Sequence, residues 1–263
     1  QEGDISGAFT ANWNSVADAT GYRLDVATDR QFKNMVADYN NRDVNSTTEC
    51  KVSGNDIDKD TVYYYRVRAY NTQGQSLSSN RVATDLPKWI KNALEETDYD
   101  SVSYDAETNT VTFNRDVILK DTIQIPGEDS TVIALNGNTV TAPTGKSAIS
   151  ANGKNIELTI NGTSSDGKKG SIVGSTGSDG NGVAAIDFGS AGANSTITVS
   201  GSEIRGGDGV GSTDGTTTGN AGNGGAGIIA GSDSNVKVET NATVTGGNGG
   251  STSNGTGGNG GAG

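Results

Sequence analysis

Histidine is absent from this chain of 263 residues, and cysteine occurs once, at position 50. Without histidine there is no imidazole-based triad and no His-liganded zinc, and one thiol makes neither a disulfide nor a Cys-rich metal centre. Cys50 falls in the alternating run Thr48, Cys50, Val52, which reads as a buried small hydrophobe rather than a reactive thiol. Cationic side chains are also scarce: 19 Lys and Arg face 31 Asp and Glu, a net charge of -12, and the largest basic cluster is Lys168-Lys169. A nucleic-acid surface needs clustered cations to displace counterions from phosphates, so nucleic acid is excluded as a partner. No apolar run approaches the ~20 residues of a membrane-spanning helix, so no membrane insertion is expected in this segment. No signal peptide precedes Gln1, a segment that processing removes from exported proteins.

Aromatic residues are few and unevenly placed, with Phe188 the only one after residue 120. Glycine is distributed the opposite way: of 40 in the chain, only those at 3, 7, 21, 54 and 74 precede residue 120. Two unlike parts follow from this shift. The second part keeps regularly spaced Ile, Val, Leu and Ala and little charge, so a thin repetitive core is expected there rather than disorder.

In the first part, Phe9, Ala11 and Trp13 alternate onto one face, Tyr22, Leu24 and Val26 follow after a turn at 19–21, and a long strand runs over 62–70. Short strands with polar turns imply an antiparallel sandwich. The segments FTANW (9–13), YRLDVATDRQF (22–32) and TVYYYRVRAYNTQGQS (61–76) resemble a bacterial fibronectin type III domain over residues 1–86. The resemblance implies that Trp13 packs in the core and that Tyr63 is a corner tyrosine bonded back to backbone near 57–60. The sequence departs from that pattern at its start, where little remains before Phe9 to form a first strand. Tyr64, Arg66, Arg68 and Tyr70 share the other face of the long strand; cross-strand packing accounts for them before a ligand face does. No Arg-Gly-Asp triplet occurs to support integrin binding.

Leu86-Pro87 ends the sandwich, and residues 87–96 read as a short helix with Trp89, Ile90, Ala93 and Leu94 on one face, placed to cap the core that follows. Over 97–263 a strand recurs: IALNG (133–137), LTING (158–162), ITVSG (197–201) and VKVET (236–240), starting 25, 39 and 39 residues apart. Parallel stacking of this unit predicts one inward ladder of Leu158, Ile197 and Val236 and another of Ile160, Val199 and Val238. LNGNTVT (135–141) and LTINGTSS (158–165) give an architectural resemblance to the right-handed parallel β-helix of pectin-lyase-like proteins and bacterial surface adhesins. A β-sandwich or a three-stranded prism of repeats competes, but growth at one corner favours the helix. The fold class is therefore all-β, a fibronectin type III-like sandwich, a capping helix and a parallel β-helix.

The extra length lies in glycine-rich insertions at 174–182, 206–227 and 246–263, all leaving the third strand of a coil. NGGAG occurs at 223–227 and at 259–263; the second copy leads into no further strand, so a cut within a longer array is expected. GGDGVG (206–211) lacks the Lys and Ser/Thr of a phosphate loop, and Gly211 stands where a calcium nonapeptide repeat needs aspartate. Asp208 and Asp214 with backbone carbonyls are the one place where calcium is conceivable, although isolated loop carboxylates are ordinarily just solvated. Asp166, Asp179, Asp187 and Asp208 are the only acids placed to cleave a polysaccharide on the coil, and they form no tight pair. The Asn-x-Ser/Thr sequons at Asn45, Asn161, Asn194, Asn241 and Asn254 are expected by chance in such sequence. No catalytic, cofactor or metal residue is assigned, and the binding residues stay open. The expected function is an extracellular or cell-surface bacterial protein that meets a glycan or a host or bacterial surface protein, or serves as a stalk. A fragment of a β-helical polysaccharide lyase or glycoside hydrolase is the alternative.

Overall fold

The computed structural model describes residues 7–127, 129–211, 221–252 and 256–263. Asp214 and Asn254 lie outside the described residues. The chain divides into two compact units, residues 1–87 with 104–107, and residues 88–103 with 108–263.

In the first unit, β1 (Phe9–Asn12) and β2 (Gly21–Ala27) are followed by β3 (Arg42–Asp43), β4 (Glu49–Val52), β5 (Tyr64–Asn71), β6 (Gly74–Gln75) and β7 (Val82–Ala83). β1 and β4 pair antiparallel as one sheet; β2 and β5 form the centre of the other, with β3, β6 and β7 at its margins. Alternation turns Ala11, Val52, Tyr22, Leu24, Val26 and Val67 inward to one core. Cys50 packs against that core but is only partly buried, where its alternation predicts full burial. Trp13 is half-buried at its margin, tilted against Tyr22 with ring centroids 5.7 Å apart. The Tyr63 hydroxyl donates to the Asp56 carbonyl at 3.1 Å and accepts the Asp58 N–H at 2.8 Å, tying the corner to the strand.

The second unit begins with one helical turn, α1 (Lys88–Lys91), shorter than the amphipathic pattern predicts. The helix stops because the N–H groups of Ala93 and Leu94 turn to the carbonyls of Ile90 and Lys91, three residues back, and the Ala93 carbonyl accepts Lys120 N–H. Ile90, Ala93 and Leu94 are fully buried beside the first coil, whereas Trp89 is only half-buried. β8 (Val102–Asp105) leads into the coils. The first coil holds β9 (Thr110–Phe113), β10 (Val117–Ile118) and β11 (Ile123–Pro126); the second β12 (Ser130–Ala134), β13 (Thr139–Thr141) and β14 (Ile149–Asn152). The third holds β15 (Glu157–Asn161), β16 (Gly170–Val173) and β17 (Ile186–Asp187), the fourth β18 (Thr196–Ser200), β19 (Ser202–Arg205) and β20 (Ile228–Ile229), and β21 (Asn235–Val238) and β22 (Thr243–Thr245) close the series. Corresponding strands stack parallel into three sheets, which makes this unit a parallel β-helix.

The ladder of Ile160, Val199 and Val238 and that of Leu158, Ile197 and Val236 form as the repeat predicts. One step differs. Ile133 stacks on Ile160, and it is Thr131 that lies under Leu158, so the first interval is 27 residues and not 25. Apolarity alone aligns Ile133 with Leu158, two residues out of the observed register. Thr131 is fully buried in that apolar column because its hydroxyl accepts the Asn109 Nδ2 hydrogen at 3.0 Å. Left-handed Asn155, Asn194 and Asp233 stack at the corner before β15, β18 and β21 and turn the chain at each coil.

Candidate functional site

The three insertions all leave the sheet of β13, β16, β19 and β22, so they share one side of the β-helix. They are not independent loops. The first is a small hairpin in which Val183 N–H donates to the Ser175 carbonyl at 2.7 Å. The outgoing pass of the second insertion lies on it, Gly207 N–H donating to Val183 and Val210 N–H to Gly180. The return pass lies on that one in turn, through Gly225 to Gly207 at 2.8 Å and Gly222 to Val210 at 3.0 Å. The third insertion continues the order with Gly247 to Gly225 and Gly250 to Gly222, then Gly261 to Gly247 and Gly258 to Gly250, all at 2.8 to 2.9 Å. Donors three residues apart and partners running in opposite directions describe antiparallel extended segments with the three-residue period of a polyproline II-type helix.

Glycine is required here for close approach. Among the described glycines of these passes only Gly180, at the tip of the first hairpin, takes a left-handed φ. A Cβ on Gly222 would lie 1.8 Å from the Gly180 carbonyl oxygen, and one on Gly261 1.9 Å from that of Gly225. These two α-carbons face the carbonyl of the pass stacked two below, and those of Gly209, Gly224 and Gly249 face the carbonyl of the adjacent pass, as collagen's axial glycines face their neighbours.

Side chains join the backbone pattern at one position per pass. Asn181 Oδ1 accepts Asn223 N–H and Asn223 Oδ1 accepts Asn259 N–H, each at 2.8 Å. In the neighbouring column Asp208 Oδ1 accepts Asn248 N–H at 2.6 Å. The sequence signal was present as GGDG (206–209) with GGNG (246–249), and GNGG (222–225) with GNGG (258–261).

The four candidate acids are not brought together. Asp166 holds the turn between β15 and β16 by accepting from Ser164 Oγ, Asp179 holds the tip of the first hairpin, Asp187 lies on β17, and Asp208 lies in the second insertion. The Ser164 hydroxyl lowers the Asp166 carboxyl below its ordinary value, and the Asn181 side-chain amide does the same for Asp179. Asp208 is lowered first by its hydrogen bond from Arg205. These groups hold a negative charge more firmly than usual, the reverse of what a general acid requires. Asp208 shares Oδ1 between Arg205 and the Asn248 amide, and the guanidinium repels a cation beside it. Among the described residues no group of three His, Cys, Asp or Glu is placed to hold a metal ion. Phe188 is buried inside the coil and offers no sugar platform.

In the first unit Arg66 Nε and Arg68 Nη2 reach the buried Asp25 carboxylate at 3.0 and 2.8 Å. Tyr64 is buried and the Tyr70 hydroxyl donates to Asp43 at 3.0 Å. Cross-strand pairing therefore uses the polar groups of this face, as expected from the packing reading.

No family model matches the chain, and no curated protein matches its sequence. Among solved structures, pectate lyase Pel3 from Pectobacterium carotovorum is 12% identical, with 90% of this chain and 89% of that chain covered and a TM-score of 0.25. Pectate lyase PelI from Erwinia chrysanthemi, in complex with tetragalacturonic acid, is 14% identical, with 92% and 97% covered and a TM-score of 0.24. Among the described residues no helix is long and apolar enough to cross a membrane.

Proposed function

We propose that the protein works outside a bacterial cell, secreted or attached to its surface, as a non-catalytic scaffold for adhesion or recognition. In this reading the fibronectin type III-like unit is a spacer and the β-helix displays the glycine-rich body toward a glycan or a surface protein. The observation that carries it is the body itself: a conformation fixed by backbone bonds and close glycine packing, beside acids already committed to turns. A rigid surface loses little entropy on contact, which suits display. The test is adhesion of beads coated with the full chain to bacterial and host cells, beside an assay for reducing ends and unsaturated products on plant and host polysaccharides. Adhesion without cleavage supports the scaffold. Cleavage would instead make the chain part of a polysaccharide lyase or hydrolase.

A further inference from the structure

The capping turn of the β-helical unit brings an aromatic side chain to a cleft. Trp89, half-buried on α1, lines a cleft of about 340 Å³ with Asn92, Asp121, Thr122, Gln124 and Asn152. That volume lies in the lower part of the ~300–1,000 Å³ range of small-molecule sites. The fold places these groups for simple reasons. Ile123 and Ile125 point into the coil with no exposure, so the alternation of β11 turns Gln124 outward, and Asn152 ends the strand stacked beside it. Burial of Ile90, Ala93 and Leu94 seats the helical turn and leaves Trp89 and Asn92 at the cleft.

We infer that this cleft binds a neutral saccharide. An indole face packs against the C–H face of a sugar ring, with its polar edge left wet. The side-chain amides of Asn92, Gln124 and Asn152 each offer donors and an acceptor, the pairing that vicinal hydroxyls require. Asn92 is exposed, as are Gln124 and Asn152. The one charged lining side chain, Asp121, is paired with Lys146 at 2.7 Å, so no free charge among the lining residues selects an ionic ligand. The Thr122 hydroxyl is already given to the Ser147 carbonyl at 2.8 Å and acts as a wall. This inference rests on the recognition half of the function proposed above and moves it from the glycine-rich body to the capped end of the coil.

The experiment titrates the ¹⁵N-labelled full chain with cellotriose, mannotriose, galactotriose and trigalacturonate, following the indole N–H resonances of Trp13 and Trp89. At least one neutral trisaccharide shifts the Trp89 resonance while that of Trp13 stays fixed, and trigalacturonate binds more weakly. Gln124→Ala and Asn152→Ala, which alter exposed side chains and leave the apolar cap intact, each weaken that binding about tenfold, the equivalent of one lost directed contact. No movement of the Trp89 resonance with any neutral trisaccharide overturns the inference, as does binding unchanged in both variants. Saccharide binding that leaves Trp89 still would overturn this site and leave the recognition reading standing, whereas absence of both saccharide binding and cell adhesion would end both.

Discussion

Asn223 Oδ1 accepts the backbone N–H of Asn259 at 2.8 Å, repeating 36 residues later the bond that Asn181 makes to Asn223. A side-chain acceptor on one pass thereby satisfies an amide on the pass two above it. The ladder gives the glycine-rich segments a register that glycine alone, with no side chain, does not specify. Asn223→Ala is expected to leave the Asn259 amide without this partner and to cost about 0.5–1.5 kcal/mol, the net worth of an ordinary hydrogen bond. Asn223→Asp keeps the acceptor and should cost clearly less. Chemical denaturation of the two variants checks the difference; equal losses would mean that the side-chain bond contributes nothing.

Adjacent glycines provide a sharper comparison. A Cβ on Gly261 meets the Gly225 carbonyl oxygen at 1.9 Å, while one on Gly260 finds its nearest atom at 3.7 Å. Gly261→Ala should destabilise by about 1–3 kcal/mol through overpacking. Gly260→Ala should stay within about 0.5 kcal/mol of the parent, as surface changes do. Melting curves of the two single variants decide it, and indistinguishable curves would count against close packing of the passes.

The core ladders predict a graded response along one column. Ile160 is fully buried, whereas Val238, in the same column, is 48% exposed. Ile160→Ala should cost about 2–5 kcal/mol, the range for truncating a buried Ile or Leu. Val238→Ala should cost well under half of that, since much of its surface is already wet. Equal destabilisation by the two would contradict the register.

Acid should loosen the glycine-rich body by way of Asp208. Its hydrogen bond from Arg205, with the Asn248 amide assisting, lowers its folded pKa below the ordinary value of 3.8. A depressed carboxylate contributes stability that is complete above its unfolded pKa and lost as pH falls through the folded one. Asp208→Asn should therefore melt lower than the parent by a constant interval above pH ~5, and the interval should shrink below the ordinary carboxylate value near 3.8. Melting temperature against pH for both proteins measures this. An interval that does not change with pH would assign the effect to something other than the charge.

Much of the fold was legible because strand periodicity and burial agree. Ile197, Val199, Val236 and Val238 alternate in the sequence and stack in the structure without a shift. The first coil step was misread because a buried threonine, Thr131, occupies a slot where the pattern called for an aliphatic residue, and its partner Asn109 lies 22 residues away. The glycine-rich segments were harder to read. Their order comes from non-local backbone bonds, and residues without side chains carry no hydrophobic period to reveal them. Trp89 was read as part of a wholly apolar helix face because a helix of ten residues was expected; over one turn the face is narrower, and the indole sits at its margin.

The central claim is that the glycine-rich passes form a hydrogen-bonded body and not a set of mobile loops. Amide hydrogen exchange of Gly207, Gly222, Gly225, Gly247 and Gly250, measured residue by residue by NMR, tests it most directly, because each of these amides donates to a neighbouring pass. Slowing by at least about a hundredfold relative to an unstructured chain is predicted, since opening any one bond requires a pass to separate from its neighbours. Exchange of all five at unstructured-chain rates would contradict it.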